Sequence, residues 1–352
     1  MAFVSLHNFS VDGIAAAVPA YSEKNTDYPY FSEKESKLFT KTVGVEKRHI
    51  AKQQRLTTSD LALEAAKKMI NALNWEKSEI DFLIFVSQSP DYYLPATAII
   101  LQDRLGLSKN TLAFDVGLGC SGYIYGLFTA ANFLQNGQLK KGLVVVGDVS
   151  SYTINKEDKS TYPLFGDAAT VTAVSYKENA KPAYFDLHSD GSGYQSIIIP
   201  DGGTRNLISE ESFKVKDFGN GVKRCNLEVS LNGLDIFNFS VTTVPNSLKE
   251  FLQKINKTPE DIDYFVMHQA NKLMNEMIRK KLGFSKNQVP YSIDKYGNTS
   301  SASIPLTICS ELKEVAENKP LKMLLSGFGV GLSWANAYLE TNPMVCLPVI
   351  EV

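Results

Sequence analysis

The spacing of hydrophobic positions changes in one short stretch, residues 112–127, which reads LAFDVGLGCSGYIYGL. Leu112–Val116 is a mostly apolar run of strand length. Beyond Ser121 the apolar residues Ile124, Leu127, Phe128, Ala131 and Leu134 recur at helical spacing, and Asn136-Gly137 supplies a stop. The pattern predicts a strand, an elbow and a helix, with Cys120 in the elbow. Gly117, Gly119 and Gly122 surround the cysteine. Three glycines would weaken a plain core element, but they let another group approach closely.

The same succession is written twice. Residues 79–86 (EIDFLIFV) resemble residues 261–266 (DIDYFV). LGLSKN from Leu105 resembles LGFSKN from Leu282, a shift of 282 − 105 = 177 residues. LVVVG ending at Gly147 resembles MLLSG ending at Gly327, a shift of 327 − 147 = 180 residues. Each copy reads helix, strand, helix, strand, elbow, helix, strand, with opening helices expected over 59–73 and 246–255. Such alternation predicts α/β layers with mostly parallel pairing. Two similar halves, 1–180 and 181–352, are expected to pack about a pseudo-twofold axis. Residues 181–230 are rich in Gly, Asp, Ser and Asn, with a turn at Pro200-Asp-Gly-Gly203. They read as irregular excursions with an added hairpin, either bordering a binding tunnel or lying as a solvated loop.

Composition narrows the class. A chain of 352 residues, 44% hydrophobic and 21% charged, is ordinary for a globular protein with a large core. A net charge of −2 gives no global electrostatic case for nucleic acid. The four cysteines form no CxxC pair, and the four histidines do not cluster with them, so no metal site is expected. Scattered cysteines, no basic leader and no uncharged apolar run of bilayer length lead to the expectation of a cytoplasmic protein without membrane insertion.

Candidate chemistry centres on Cys120. At a helix N-terminus it would feel the positive end of the macrodipole, which favours the nucleophilic thiolate, and nearby N–H groups could hold an oxyanion. The competing reading is a small buried hydrophobe. The duplication maps Cys120 close to Gly297-Asn298, making Tyr296-Gly-Asn-Thr-Ser-Ser-Ala-Ser303 a second elbow. His268 follows a strand and precedes a helical run, Lys272–Leu282, and strand ends in α/β sheets line the ligand crevice. Cys120, His268 and Asn298 are thus expected to converge. Taken singly, His268 reads equally as a bonded core histidine and Asn298 as a cap or turn residue.

AFDVGLGCSG, MHQAN, YGNTSSAS and GFGVGLSW resemble the four signature segments of the ketoacyl-acyl-carrier-protein synthase III family, in order and in spacing. The resemblance extends over nearly the whole chain. It implies a thiolase-like, five-layered αβαβα fold built from the two halves, and usually a homodimer. It implies that Cys120 takes an acyl group from a thioester. A malonyl thioester on acyl carrier protein then loses CO2 and attacks the acyl-cysteine, giving a 3-ketoacyl thioester. It implies that His268 and Asn298 donate hydrogen bonds to the enolate oxygen, so that no metal or other cofactor is called for. The second oxyanion hole would use the N–H of Cys120 and of the Gly329-Val330-Gly331 turn, with Phe328 lining the site.

Some positions depart from the family pattern. Val330 stands where glycine is common, so its bulk would narrow the acyl pocket. The tryptophan and arginine that clamp a CoA adenine are not evident in residues 36–45. Phe39 or Lys41 is the expected substitute, and Lys159 matches a second basic position. These departures weaken the case for a CoA primer relative to a carrier-bound one. Lys272 and Arg279 are seven residues apart, so they share a helix face near the expected tunnel. With Lys280 and Lys281 they read either as a docking patch for an acidic carrier protein or as a solvated face. A thiolase would carry a second cysteine near GFGVG, and other synthases two histidines. The rival enzyme is a relative that passes the acyl group to a hydroxyl or amine without decarboxylation. The non-enzymatic rival is an inactive partner subunit, which the intact Cys120, His268 and Asn298 argue against.

Overall fold

The computed structural model describes residues 2–352. The strands of its two large sheets are β1 (Ala2–Leu6), β2 (Phe9–Val18), β3 (Phe82–Val86), β4 (Leu112–Val116), β5 (Lys141–Asp148) and β6 (Ala168–Tyr176). They continue with β7 (Ala183–Ser189), β8 (Tyr264–Met267), β9 (Leu321–Gly329), β10 (Ser333–Thr341), β11 (Val345–Cys346) and β12 (Ile350–Glu351). The helices around and between them are α1 (Glu33–Thr42), α2 (Thr58–Ala72), α3 (Thr97–Leu105), α4 (Gly122–Phe133), α5 (Gly233–Lys254), α6 (Lys272–Leu282), α7 (Ile293–Tyr296) and α8 (Ser303–Glu311).

Strand side chains alternate between faces, and here both faces are apolar. On β5, Val144 and Val146 enter one core while Leu143 and Val145 enter another. On β9, Met323 and Leu325 point one way and Leu324 and Phe328 the other. The shared core holds α4 and α8 between the two sheets, through Ile124, Leu127, Ile304 and Ile308. Helices α2 and α3 cover the outer face of the first sheet, and α5 and α6 that of the second. The result is five layers, αβαβα, as the resemblance implies. Local signals support each helix. Thr57 and Asp60 cap α2 reciprocally. Asn271 caps α6, which ends at Gly283 with φ 81°.

Four expectations are corrected. The sheets are mixed rather than mostly parallel. The first runs β11-β2-β6-β5-β3-β4 and the second β1-β7-β10-β9-β8. In the first, β3 pairs parallel with β4 and β5, but β6 is antiparallel to both β5 and β2. The short 19-residue link from Asp148 to Ala168 (168 − 148 − 1) carries no return helix, so the chain comes back antiparallel. Next, no strand precedes the second elbow. The segment equivalent to β4 contains Val289-Pro290-Tyr291, and Pro290 has no N–H for a ladder. Then α5 is 22 residues long and keeps Pro245 inside it, so it starts well before the expected 246. Asn232 caps the helix start, and Pro245 is buried along with Val244, Ser247 and Leu248.

Finally, residues 183–189 form a core strand rather than an excursion, and the chain ends cross over. Strand β1 pairs with β7 in the second sheet, while β11 and β12 pair with β2 in the first. A cut near residue 180 therefore does not separate the sheets at either terminus. The expected added hairpin is present, as Lys216–Asp217 against Lys223–Arg224.

Candidate active site

Cys120 sits between β4 and α4 and is 7% exposed. Strand β9 runs against its elbow. A Cβ on Gly327 would lie 2.9 Å from the Cys120 carbonyl oxygen, and one on Gly329 would lie 2.7 Å from the Cys120 Sγ. Gly327 and Gly329 thus leave room for the Cys120 main chain and thiol. Ser121 and Ser333 hydroxyls, 2.6 Å apart, join the elbow to β10.

His268 directly follows β8 and is buried. Its N–H donates to the Ser326 carbonyl at 2.8 Å, and Asn275 Nδ2 donates to its carbonyl at 3.0 Å. Ser303 Oγ, at the start of α8, lies 2.8 Å from His268 Nδ1 and accepts the Gln269 N–H at 3.3 Å. The Phe328 ring stands edge-on to the imidazole at 5.6 Å and 86°. Asn298 is held by its backbone. Its N–H donates to the Leu164 carbonyl at 2.9 Å, and its carbonyl accepts the Gly166 N–H at 3.0 Å. The Ser300 N–H donates to Asn298 Oδ1 at 2.9 Å, which fixes the amide's orientation and leaves Nδ2 to donate elsewhere. Cys120, His268, Asn298, Phe328, Gly329 and Val330 all line one cavity of about 1300 Å³.

Burial sets the charge states. It pushes the Cys120 thiol up to about 11, outweighing the Val330 main-chain contact that lowers it. The expected low thiol pKa is corrected: desolvation of the anion outweighs the contacts with Val330, Ser300 and the Cys120 main chain that lower it. Burial pushes His268 down to about 4, against a smaller raising contact from the Ser300 main chain. At neutral pH the imidazole is uncharged.

Comparison with known proteins places this geometry in context. Residues 114–191 match the family model described as 3-oxoacyl-[acyl-carrier-protein (ACP)] synthase III, and residues 252–341 match its C-terminal model. A putative 3-oxoacyl-[acyl-carrier-protein] synthase 3 of Campylobacter jejuni is 33% identical over 345 residues, covering 94% of this chain and 93% of that protein. A beta-ketoacyl-[acyl-carrier-protein] synthase III of Clostridium perfringens is 32% identical over 336 residues, 95% and 100% of the two chains. The chain belongs to the 3-oxoacyl-(acyl-carrier-protein) synthase III family. The crystal structure of a 3-oxoacyl-(acyl-carrier protein) synthase from Burkholderia xenovorans superposes with a TM-score of 0.93 at 36% identity, covering 99% of each chain.

Against this family background, two of the basic binding candidates are already engaged. Lys159 Nζ is bonded to Glu35 Oε1 at 2.9 Å and lies over the Phe31 ring. That ion pair, with Ser32, holds the Glu35 carboxyl down at about 2. Arg279 is buried, bonded to Glu276 and to the Phe284 carbonyl, so it does not share an open face with Lys272. Its long side chain folds back over the end of α6 instead. Lys272 and Lys280 are exposed, as is Lys41 on α1. Lys272 packs against Gly44 beside Phe39 and Val43, which line the cavity.

Sequence reasoning passed over Asp148, the last residue of β5. Its buried carboxylate joins three segments. Oδ1 accepts the Gln88 N–H at 2.7 Å and the Ser87 hydroxyl at 3.1 Å, and Oδ2 accepts the Ser301 hydroxyl at 3.2 Å. Burial raises its pKa while these bonds oppose the rise. The available signal was a lone acid closing the apolar run LVVVGD. Gln88 and Ser303 were also missed. Among the described residues no His, Cys, Asp or Glu cluster is suited to a metal, and no helix is long and apolar enough to cross a membrane.

Proposed function

We propose that the protein joins an acyl group to a malonyl thioester by decarboxylative condensation, with Cys120, His268 and Asn298 as its catalytic residues. The orientation of the two donors carries this reading. Asn298 Oδ1 is taken by the Ser300 N–H and His268 Nδ1 by Ser303, so Nδ2 and Nε2 remain for an oxygen in the cavity that holds Cys120. We assign the Ser303 hydroxyl, 2.8 Å away, as the donor to Nδ1, which puts the imidazole proton on Nε2.

In the first half-reaction the Cys120 sulfur attacks the acyl thioester, and its proton leaves with the departing thiol. The N–H groups of Cys120 and Val330 face the tetrahedral oxyanion. In the second, the malonyl thioester loses CO2 and its carbonyl oxygen becomes an enolate oxygen. Nε2–H of His268 and Nδ2–H of Asn298 stabilise that charge. The enolate carbon then attacks the acyl-cysteine carbonyl and expels the Cys120 thiolate, which is reprotonated. Neutral donors suit an oxygen that gains charge only in the transition state, and the scheme uses no metal or other cofactor.

The malonyl group arrives on an acyl carrier protein, whose acidic surface would meet exposed Lys272 and Lys280 beside exposed Leu273 and Met277 on α6. A second copy of the chain is the proposed cover for Tyr92, Tyr93 and Leu94, which are 64%, 87% and 83% exposed in a single chain. A thiol nucleophile fits a reducing, cytoplasmic setting.

Intact mass spectrometry of the protein with acyl donors and malonyl-carrier protein tests the reading. A 3-ketoacyl carrier that requires Cys120 is the expected product. Acylated Cys120 with malonyl-carrier left unconsumed would sink it in favour of transfer to a hydroxyl or amine.

A further inference from the structure

We propose that Gln88 reads the acyl group on Cys120 and selects chains that carry a hydrogen-bonding oxygen. The inference rests on the proposed acylation of Cys120. Gln88 lies just beyond β3, in a loop whose backbone is fixed from below. Its own N–H donates to Asp148 at 2.7 Å, and the flanking Ser87 and Ser89 hydroxyls reach the same oxygen at 3.1 and 3.5 Å. The side chain is placed by the nucleophile's neighbour. A Cβ on Gly119 would lie 2.3 Å from Gln88 Oε1 and 2.9 Å from Val330 Cγ1. The amide and the valine methyl therefore meet over the residue before Cys120, and both line the cavity that holds its thiol.

The cavity that Gln88 lines also presents apolar Ile154, Ile197, Ile198 and Leu231, and Gln88 is exposed in the single chain, so its amide is hydrated there. The Gln88 amide has no hydrogen-bond partner among the described residues. A saturated chain laid against it would strip water from the amide and return nothing. A hydroxyl or keto oxygen on the chain would return a hydrogen bond, since the amide both donates and accepts. A site built to bond such an oxygen discriminates against the analogue that lacks it. The substrate class is thus a hydroxyacyl or oxoacyl thioester rather than a plain saturated one. Val330, whose Cγ1 stands on the same side of Gly119 and lines the same cavity, would hold the chain near the amide.

The test compares rates of Cys120 acylation, read by intact mass, with length-matched pairs such as butanoyl and 3-hydroxybutanoyl thioesters. The protein should favour the oxygen-bearing member by about tenfold or more. Gln88→Met keeps the side-chain length and removes the amide. It should erase that preference by slowing acylation with the oxygen-bearing donor. Gln88→Ala serves as the second variant, with unchanged melting as the control for folding. Equal rates in the wild type, or a ratio that survives both substitutions, would overturn the proposal. Because the readout is acylation, failure of the later condensation leaves it standing. Acylation by no donor would overturn it together with the functional reading on which it rests.

Discussion

The two elbows of this molecule occupy equivalent places in a duplicated scaffold, yet they are built by opposite means. The first, around Cys120, is made of space. Gly119, Gly122, Gly327 and Gly329 withhold the Cβ atoms that would collide with Gln88, Val86, Ser121 and the cysteine itself. The second, around Asn298, is made of hydrogen bonds. Ser300, Ser301 and Ser303 fix the amide, tie the turn to Asp148 and occupy His268 Nδ1. No strand precedes the second elbow, and its backbone is held instead by exchange with Leu164 and Gly166 of the first half. As the proposed nucleophile, Cys120 needs room to be reached and to carry an acyl group. A pair of donors needs fixed direction, because a donor's value depends on where it already points when charge develops.

The comparison breaks most sharply if its two elbows do not divide the reaction. His268→Ala and Asn298→Ala should each lower condensation by about 10²–10³-fold and change acylation of Cys120 only a few-fold. Stopped assays of each half-reaction would show the split, and equal loss of both would remove it. The next effect is in pH. With the thiol raised to about 11 by burial, the thiolate is a minor species at neutral pH. Alkylation of substrate-free Cys120 by iodoacetamide should then rise about tenfold per pH unit from 7 upward. A plateau near neutrality would point to an activated thiolate. His268, lowered to about 4 by burial, stays neutral, so condensation should show no His-dependent loss between pH 7 and pH 5.

A smaller effect is expected where space itself is filled. Gly329→Ala places a methyl 2.7 Å from Cys120 Sγ and should slow acylation by roughly tenfold. Circular dichroism would check that the fold is intact. The finest test concerns Ser303→Ala. Removing the hydroxyl frees Nδ1 to carry the proton, and condensation should fall several-fold while acylation is unchanged. Nitrogen NMR of His268 would reveal the shifted tautomer, which a merely structural loss would not produce.

Much of this was legible in the chain. The change from a strand-like to a helical period located the Cys120 elbow, and β4 and α4 fall where the pattern puts them. Internal repetition located the second elbow, and the strand end located His268. Short local signals of this kind survive because capping, glycine and period act over a few residues. The misses are of another kind. The pattern predicts a helix only over 246–255, yet α5 begins at Gly233 and holds a buried Pro245, because tertiary burial of the helix outweighs a local preference. Arg279 and Lys159 read as free cations until Glu276 and Glu35, one of them 124 residues away from its partner, take them up.

What the sequence by itself determined is the set of elements, the repetition that makes them two similar layers, and the identity of the three groups at the strand and helix ends. Only the tertiary structure decided how those groups stand. Antiparallel returns in the sheets, crossed chain ends, a protonated thiol, a neutral imidazole and an unpaired Gln88 amide all follow from packing between distant segments. Pairing and desolvation are sums over neighbours, and which residues become neighbours is not written in any local stretch.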